Sequence, residues 1–308
     1  MRRPVLAFFL LLFCLAAHAA ERGPADRGPA ERGQAERGAL FSATFNGHTM
    51  LLFGTLHVGQ SGFYPLEPRI AQALAAASTL ALEIDPAQPR AALQRAVRSH
   101  GMLVPGEDDY GAMPSAQKRR LDALILQGGL DAGTVLDYKP VLLATLLALA
   151  EYTRQGYRGD WSSEAWLART ARAADVRVLE LESLSAQLSL LDRLSVPERW
   201  RFLDEMMGAI ESGALRSDAR AMVQAWSTAD RTALDAIAAR CEADRSVSGQ
   251  FVNAVLLKER NRKLADKLVR LLEAEQKTVA AVGVLHLLGT GSVPALLQER
   301  GVSIERIY

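Results

Sequence analysis

Two histidines and a small set of carboxylates carry the chemistry this chain could do. His57 lies in Leu51-Leu52-Phe53-Gly54-Thr55-Leu56-His57-Val58-Gly59, and His286 lies in Ala280-Ala281-Val282-Gly283-Val284-Leu285-His286-Leu287-Leu288-Gly289. In each, an apolar run ends in a glycine, the histidine follows three residues later, and another glycine closes the stretch. Glu83 and Asp85 end a third apolar run, and Glu180 and Glu182 end a fourth. Imidazole with carboxylate is a ligand set for a divalent transition metal, and open coordination positions would hold water. Water bound in this way loses its proton near neutral pH, and a neighbouring glutamate can accept it. Each residue also has a plainer reading. A strand-end histidine can serve only as a hydrogen-bonding group, and Glu182 can simply favour the start of the next helix. Glu83 needs a partner, because an unpaired charge in an apolar run is costly to bury. A salt bridge to Arg260 would meet that need and place both residues in one cleft.

The elements that must position these residues follow from the pattern of apolar residues and breakers. Phe41–Phe45 and Thr49–Phe53 flank Asn46-Gly47, a hairpin signal, with His48 solvated beside the turn. Gly54 and Gly283 would let the chain leave its strand in a conformation that a side chain forbids. Thr79–Asp85 and Val176–Glu182 read as further strands, followed by Thr278–Val282 and Val302–Tyr308. A long helix over about 249–274 carries Leu257, Asn261, Leu264, Leu268 and Leu272 on one stripe, with Leu256 and Arg260 at its border. Asn261 therefore faces inward, which for a polar residue needs a reason. Strands alternating with helices predict a mostly parallel, helix-covered sheet. In such sheets ligands bind beyond the strand C-termini, where both histidines fall. Residues 115–250 are mainly helical and read as an insertion.

The bulk properties narrow the function classes. Residues 1–20 carry Arg2 and Arg3, a short apolar core and Ala17-His18-Ala19, the pattern of a cleaved export signal. Its apolar run is too short to span a bilayer comfortably. Residues 21–38 repeat Glu/Asp-Arg-Gly with no aliphatic or aromatic residue beyond alanine before Leu40, and read as a tether without a core. Without Arg2 and Arg3, the 36 basic residues become 34, against 35 acidic ones. That balance gives no electrostatic case for nucleic acid or for an anionic membrane surface. Cys241 is the one cysteine left after cleavage, so no internal disulfide is expected and the core must provide stability. Common zinc-protease, serine-hydrolase, phosphate-loop and cysteine-pair signatures are absent.

These residues together resemble the TraB/PrgY/GumN family, which includes the animal Tiki proteins. The resemblance covers roughly residues 40–308. It rests on Gly54-Thr-Leu-His57-Val-Gly59 with Tyr64-Pro-Leu66, on Leu82-Glu83, and on Leu181-Glu182 with Gln187-Leu188. Arg260-Asn261 and Val282-Gly283-Val-Leu-His286-Leu-Leu-Gly289 complete it. Leu264 departs from the methionine usual after the Arg-Asn motif, an apolar exchange on the core stripe. The resemblance implies a three-layer α/β/α fold related to erythromycin esterase and to a haem-binding lipoprotein. It further implies a metal site for peptide hydrolysis, with His57 and His286 as ligands and Glu83 as ligand or general base. The metal would be manganese, cobalt or zinc. Arg260 would stabilise an oxyanion or orient Glu83, Asn261 would contact substrate or fix a loop, and Glu182 is the further catalytic candidate. Gly54, Gly59, Gly283 and Gly289 would shape the two loops. The expectation is a periplasmic or secreted metal-dependent hydrolase acting on a peptide or protein. The alternative is a binding protein holding a peptide or haem-like ligand in the same cleft.

Overall fold

A computed structural model describes residues 35–104, 106 and 110–308 of the chain. The segments expected to be an export signal and, nearly all of it, a tether lie outside the described residues. All six expected strands are present: β1 (Leu40–Phe45), β2 (His48–Thr55), β3 (Thr79–Leu82), β4 (Arg177–Glu180), β5 (Lys277–Gly283) and β6 (Ser303–Arg306). They form one mixed sheet in the order β4-β3-β5-β2-β1-β6. The four strands β4, β3, β5 and β2 are mutually parallel, while β1 runs antiparallel to both β2 and β6. The β1–β2 hairpin turns on Asn46 and Gly47, whose φ angles of 51° and 82° are those of the tight turn that matches strand twist. His48 is not merely solvated: its Nδ1 lies 2.6 Å from the Leu272 carbonyl, tying the hairpin to a helix end.

Layering follows from the direction of the crossovers. The chain steps one way along the sheet from β2 to β3 to β4, and the opposite way from β4 to β5. With right-handed connections, the two sets of helices must cover opposite faces. Pro68–Ala75 and Ser163–Ala173 accordingly pack against β5, β3 and β4, and Arg260–Ala274 packs across β1, β2 and β5. The result is the expected α/β/α sandwich. Since β5 leaves toward one face while its neighbours β2 and β3 leave toward the other, a crevice opens at their carboxyl ends.

Residues 115–250 contain several helices and also β4. Pro140–Arg154 and Val196–Glu211 pack along one another there, burying Leu143, Leu147, Phe202 and Met206. This block is bolted to the sheet by Trp226, which is fully buried on helix Ala214–Ser227. Its Nε1 donates to the Gly54 carbonyl at 2.8 Å, and its ring packs on Phe53 and Phe63. Trp226→Ala should therefore destabilise the protein by about 3–5 kcal/mol, the range for emptying a large core aromatic. The loss should appear in one cooperative denaturant transition. A variant as stable as wild type would show that Trp226 does not tie the helical block to the sheet.

Candidate functional site

Strand register brings three loops together. Thr55 pairs with Gly283, and Leu82 pairs with Ala281. The residues following β2, β3 and β5 therefore leave the sheet side by side. His57 follows β2, Glu83 follows β3 directly, and His286 sits in the short 3-10 turn Val284–Leu287 after β5. Beyond β4, Leu181 and Glu182 donate backbone N–H groups to the Leu82 and Glu83 carbonyls at 2.7 and 2.8 Å, so Glu182 joins the same row.

The opposing helix supplies the cation. Val252–Glu259 is a π-helix that runs directly into Arg260–Ala274. Widened turns of this kind are frequent at functional sites. Arg260 and Asn261 follow at once, and both side chains are buried. The Arg260 Nε donates to both Glu182 oxygens at 3.1 Å, and Nη2 reaches Glu182 Oε2 at 2.5 Å and also Glu83 Oε2. Gln187 Nε2 donates to Glu182 at 2.9 Å and to Glu83 at 3.3 Å. The other Glu83 oxygen, Oε1, accepts the Gly283 N–H at 2.6 Å. Burial would raise the Glu83 pKa, but Arg260, the two imidazoles and the Gly283 N–H bring it down to about 2. Glu83 is thus an anion throughout the physiological range. Burial would lower the Arg260 pKa, yet Glu83 and Glu182 hold it above the ordinary value.

The two imidazoles are anchored differently. His286 is fully buried, and its Nδ1 lies 2.5 Å from Asn261 Oδ1, while Asn261 Nδ2 donates to the Gly291 carbonyl at 2.8 Å. Because an amide oxygen can only accept, Nδ1 carries the proton and Nε2 presents its lone pair. That Nε2 has no hydrogen-bond partner and lies 3.7 Å from Glu83 Oε1. Burial pushes the His286 pKa down to about 3, against the pull of Glu83. His57 has its Nδ1 2.6 Å from Glu164 Oε1. Burial would lower its pKa, but Glu164, helped by Glu83, moves it upward. A Cβ placed on Gly283 would stand 3.1 Å from His57 Nε2 and 3.3 Å from Glu83 Oε1. Both atoms therefore face one small space that only glycine leaves open.

The loop glycines act chiefly through room, not handedness, which corrects the sequence reading. Gly283 has φ −49°, and Gly54 is not among the positive-φ glycines. A Cβ on Gly54 would press on Val284, and one on Gly59 would stand 2.1 Å from the Trp161 carbonyl oxygen. Only Gly289, at φ +75°, needs the left-handed region.

Asp85 and Glu180, which share strand ends with the site residues, lie outside it. Glu180 accepts the Asp85 N–H and the Gln88 side-chain amide, and Asp85 pairs with Arg172. They lock the β3–β4 edge. Cys241 is buried with its thiol pushed up to about 12, which removes it as a nucleophile. Glu164 is the site residue that sequence patterns did not single out. It follows Ser162 and Ser163 at a helix start, where an acid is already explained by the helix dipole. The usable signal was its flanking by buried Ala165, Leu167 and Ala168.

A three-layer α/β sandwich with buried histidines, glutamates and one arginine gathered at adjacent strand ends defines the class of this protein. The chain belongs to the TraB/PrgY/gumN family, whose model matches residues 39–306. No curated protein and no solved structure matches the chain.

The His286 and Glu83 shifts set an acid limit on stability. Folded His286 stays neutral to about pH 3, while the unfolded chain takes up that proton near 6.5. Its contribution is present above pH 6.5 and is lost as pH falls from there. Glu83 acts with the same sign lower down, from 4.5 toward about 2, whereas His57, shifted upward, acts only above 6.5. Between pH 6 and 5 the metal-free protein should lose stability at up to about 1.4 kcal/mol per pH unit through His286 alone. His286→Gln should flatten that slope in denaturant titrations. An unchanged slope would show that His286 is not the group responsible.

Proposed function

We propose that this protein is a metal-dependent hydrolase, acting on peptide or protein substrates at the crevice between β2, β3 and β5. The observation that carries the reading is His286 Nε2, buried and unpartnered 3.7 Å from Glu83 Oε1, with His57 Nε2 bordering the same space beside Gly283 as Glu83 Oε1. A buried nitrogen lone pair with nothing to bind is costly unless it serves a ligand. The 3.7 Å separation of His286 Nε2 and Glu83 Oε1 is within the span of two donors on one ion, at most about 4 Å for bonds near 2.1 Å. Among the described residues no group of three or more His, Cys, Asp or Glu side chains forms a ready-made metal centre. The donor types nevertheless fit a manganese, cobalt or zinc ion, with His57 and His286 as nitrogen ligands and Glu83 Oε1 as the oxygen ligand. Such an ion supplies a water activated for attack on a carbonyl.

The geometry supports the remaining roles. A carboxylate with a pKa near 2 is a poor proton acceptor at neutral pH, so Glu83 suits a ligand better than a general base. Arg260 orients Glu83 through Oε2 and leaves Oε1 to the Gly283 N–H and to His286 Nε2, 3.7 Å away. Glu182, held by Arg260 and Gln187, is the most exposed member of the set, its side chain 10 % accessible, and marks the side from which substrate would enter. Asn261 fixes His286 and the loop at Gly291. With an export signal over residues 1–20, the mature protein would act in the periplasm or outside the cell. The competing reading is a binding protein for a peptide or haem-like ligand. It is favoured by the pairing of both Glu83 and Glu182 with Arg260, which leaves neither carboxylate free to take a proton.

Elemental analysis of the purified mature protein decides the metal site. Wild type should carry close to one divalent ion per chain, and His57→Ala/His286→Ala should carry almost none. Equal content in the two would sink the site. Glu83→Gln should lose both metal and peptide cleavage. Metal retained with cleavage lost would reassign Glu83 as the general base, and tight peptide binding without cleavage by wild type would favour the binding protein.

A further inference from the structure

Glu164 is a buried carboxylate whose presence the packing alone does not explain. It is 1 % exposed and sits against His57, itself 3 % exposed. Removing a carboxylate from water is expensive, and an apolar side chain of similar volume would usually serve stability as well or better. The surrounding structure nevertheless fixes Glu164 against this one ring. Leu56 and Ser163 are tied three times: the Leu56 N–H donates to Ser163 Oγ at 2.8 Å, and the Ser163 N–H and hydroxyl donate to the Leu56 carbonyl at 3.1 and 3.2 Å. Gly59 and Arg158 exchange backbone hydrogen bonds at 2.9 and 2.8 Å. Tyr64 stacks between Trp161 and Trp166, and its hydroxyl donates to the Trp161 carbonyl at 2.7 Å. The loop carrying His57 and the helix start carrying Glu164 thus move as one body.

We propose that Glu164 is a positioning residue for His57: its carboxylate faces Nδ1 at 2.6 Å and holds the ring as the Nδ1–H tautomer, which leaves the Nε2 lone pair for the space beside Gly283 that Glu83 Oε1 also borders. The 2.6 Å contact is not aligned as a hydrogen bond, but a carboxylate repels a nitrogen lone pair at that distance and attracts an N–H, so the nitrogen it faces keeps the proton and the far nitrogen gives it up. Glu164 does for His57 what Asn261 does for His286, and both rings then present the same kind of atom to the same space. Carboxylates behind ligating imidazoles orient the ring and raise its donor strength. The tautomer assignment concerns the protein alone; its consequence for metal affinity rests on the reading of His57 as a ligand.

Nitrogen-15 spectra of the histidine-labelled, metal-free full chain test this directly, in alkaline buffer that leaves the rings neutral. The His57 signal is identified by its loss in His57→Gln. Wild type should show a protonated Nδ1 and an unprotonated Nε2. Glu164→Leu should move the proton largely to Nε2, and Glu164→Gln, whose amide oxygen still accepts, should restore the Nδ1–H form. A wild-type ring protonated at Nε2 would overturn the proposal, even if the leucine variant failed to fold, and so would a Glu164→Leu ring that kept Nδ1–H. Titration with zinc or manganese ion should then show affinity reduced about 10- to 100-fold in Glu164→Leu, at an unchanged far-ultraviolet helical signal. Wild-type affinity in that variant would overturn the role toward the ion. Failure of wild type to bind either ion would remove the metal reading of the site, while the tautomer spectra would still decide the role of Glu164.

Discussion

One guanidinium holds the carboxyl ends of the parallel strands together. Arg260 stands between Glu83 and Glu182, which come from adjacent strands; Arg260 and Glu83 are buried, and the Glu182 side chain is mostly so. Two neighbouring carboxylates at that depth would repel one another and each would favour its neutral form. With Arg260 between them both can stay ionised, and Glu83 is then available as a fixed negative charge in front of two imidazoles. The planar fork of arginine is well shaped for this, since one edge grips Glu182 through Nε and Nη2, and Nη2 also reaches Glu83. A lysine would offer one point charge and could not hold both orientations.

That constraint propagates into the helix that supplies Arg260. Consecutive residues on an α-helix point about 100° apart, so Arg260 and Asn261 can both face the sheet only if the helix lies close over the strand ends. The Leu264, Leu268 and Leu272 stripe presses it there, each residue fully buried. The π-helical turns just upstream let the chain approach in a register of their own before Arg260 sets the α-helical one. Asn261 then reaches the loop after β5 and orients His286. One short stretch of chain thereby fixes the anion through Arg260 and one imidazole through Asn261.

Much of this is legible in the sequence, for identifiable reasons. All six strands announce themselves because apolar runs between breakers leave few alternatives, and Asn46-Gly47 marks its hairpin by turn chemistry alone. His57, Glu83 and His286 can be assigned to strand ends because each directly follows an apolar run. Arg260 and Asn261 show as polar residues on or beside an apolar stripe. What stays hidden depends on contacts between distant segments. Glu164 is separated from His57 by more than a hundred residues, and its local setting gives a sufficient but incomplete explanation for an acid. Asp85 and Glu180 share the strand-end signal with Glu83 and Glu182, but only the tertiary structure shows that Arg172 and Gln88 draw them to the sheet edge. The strand-end glycines Gly54 and Gly283 read as conformational hinges, because sequence does not reveal what a side chain would strike.

The charges buried around the crevice bear on what the site is built to hold. Glu83, Glu164 and Glu182 bring three negative charges, and Arg260 returns one positive charge. His286, held near pKa 3, adds nothing at neutral pH. His57, shifted upward by Glu164, can offset one of the two remaining negative charges by taking a proton, but a protonated His57 has no lone pair to offer. An interior that keeps a surplus of negative charge is unstable unless something compensates it. A divalent cation at the two Nε2 atoms would balance the set with both imidazoles neutral. That surplus supports a cation over a neutral or anionic occupant, and on the proposed reading of His57 as a metal ligand, protons and metal would be rivals for its Nε2.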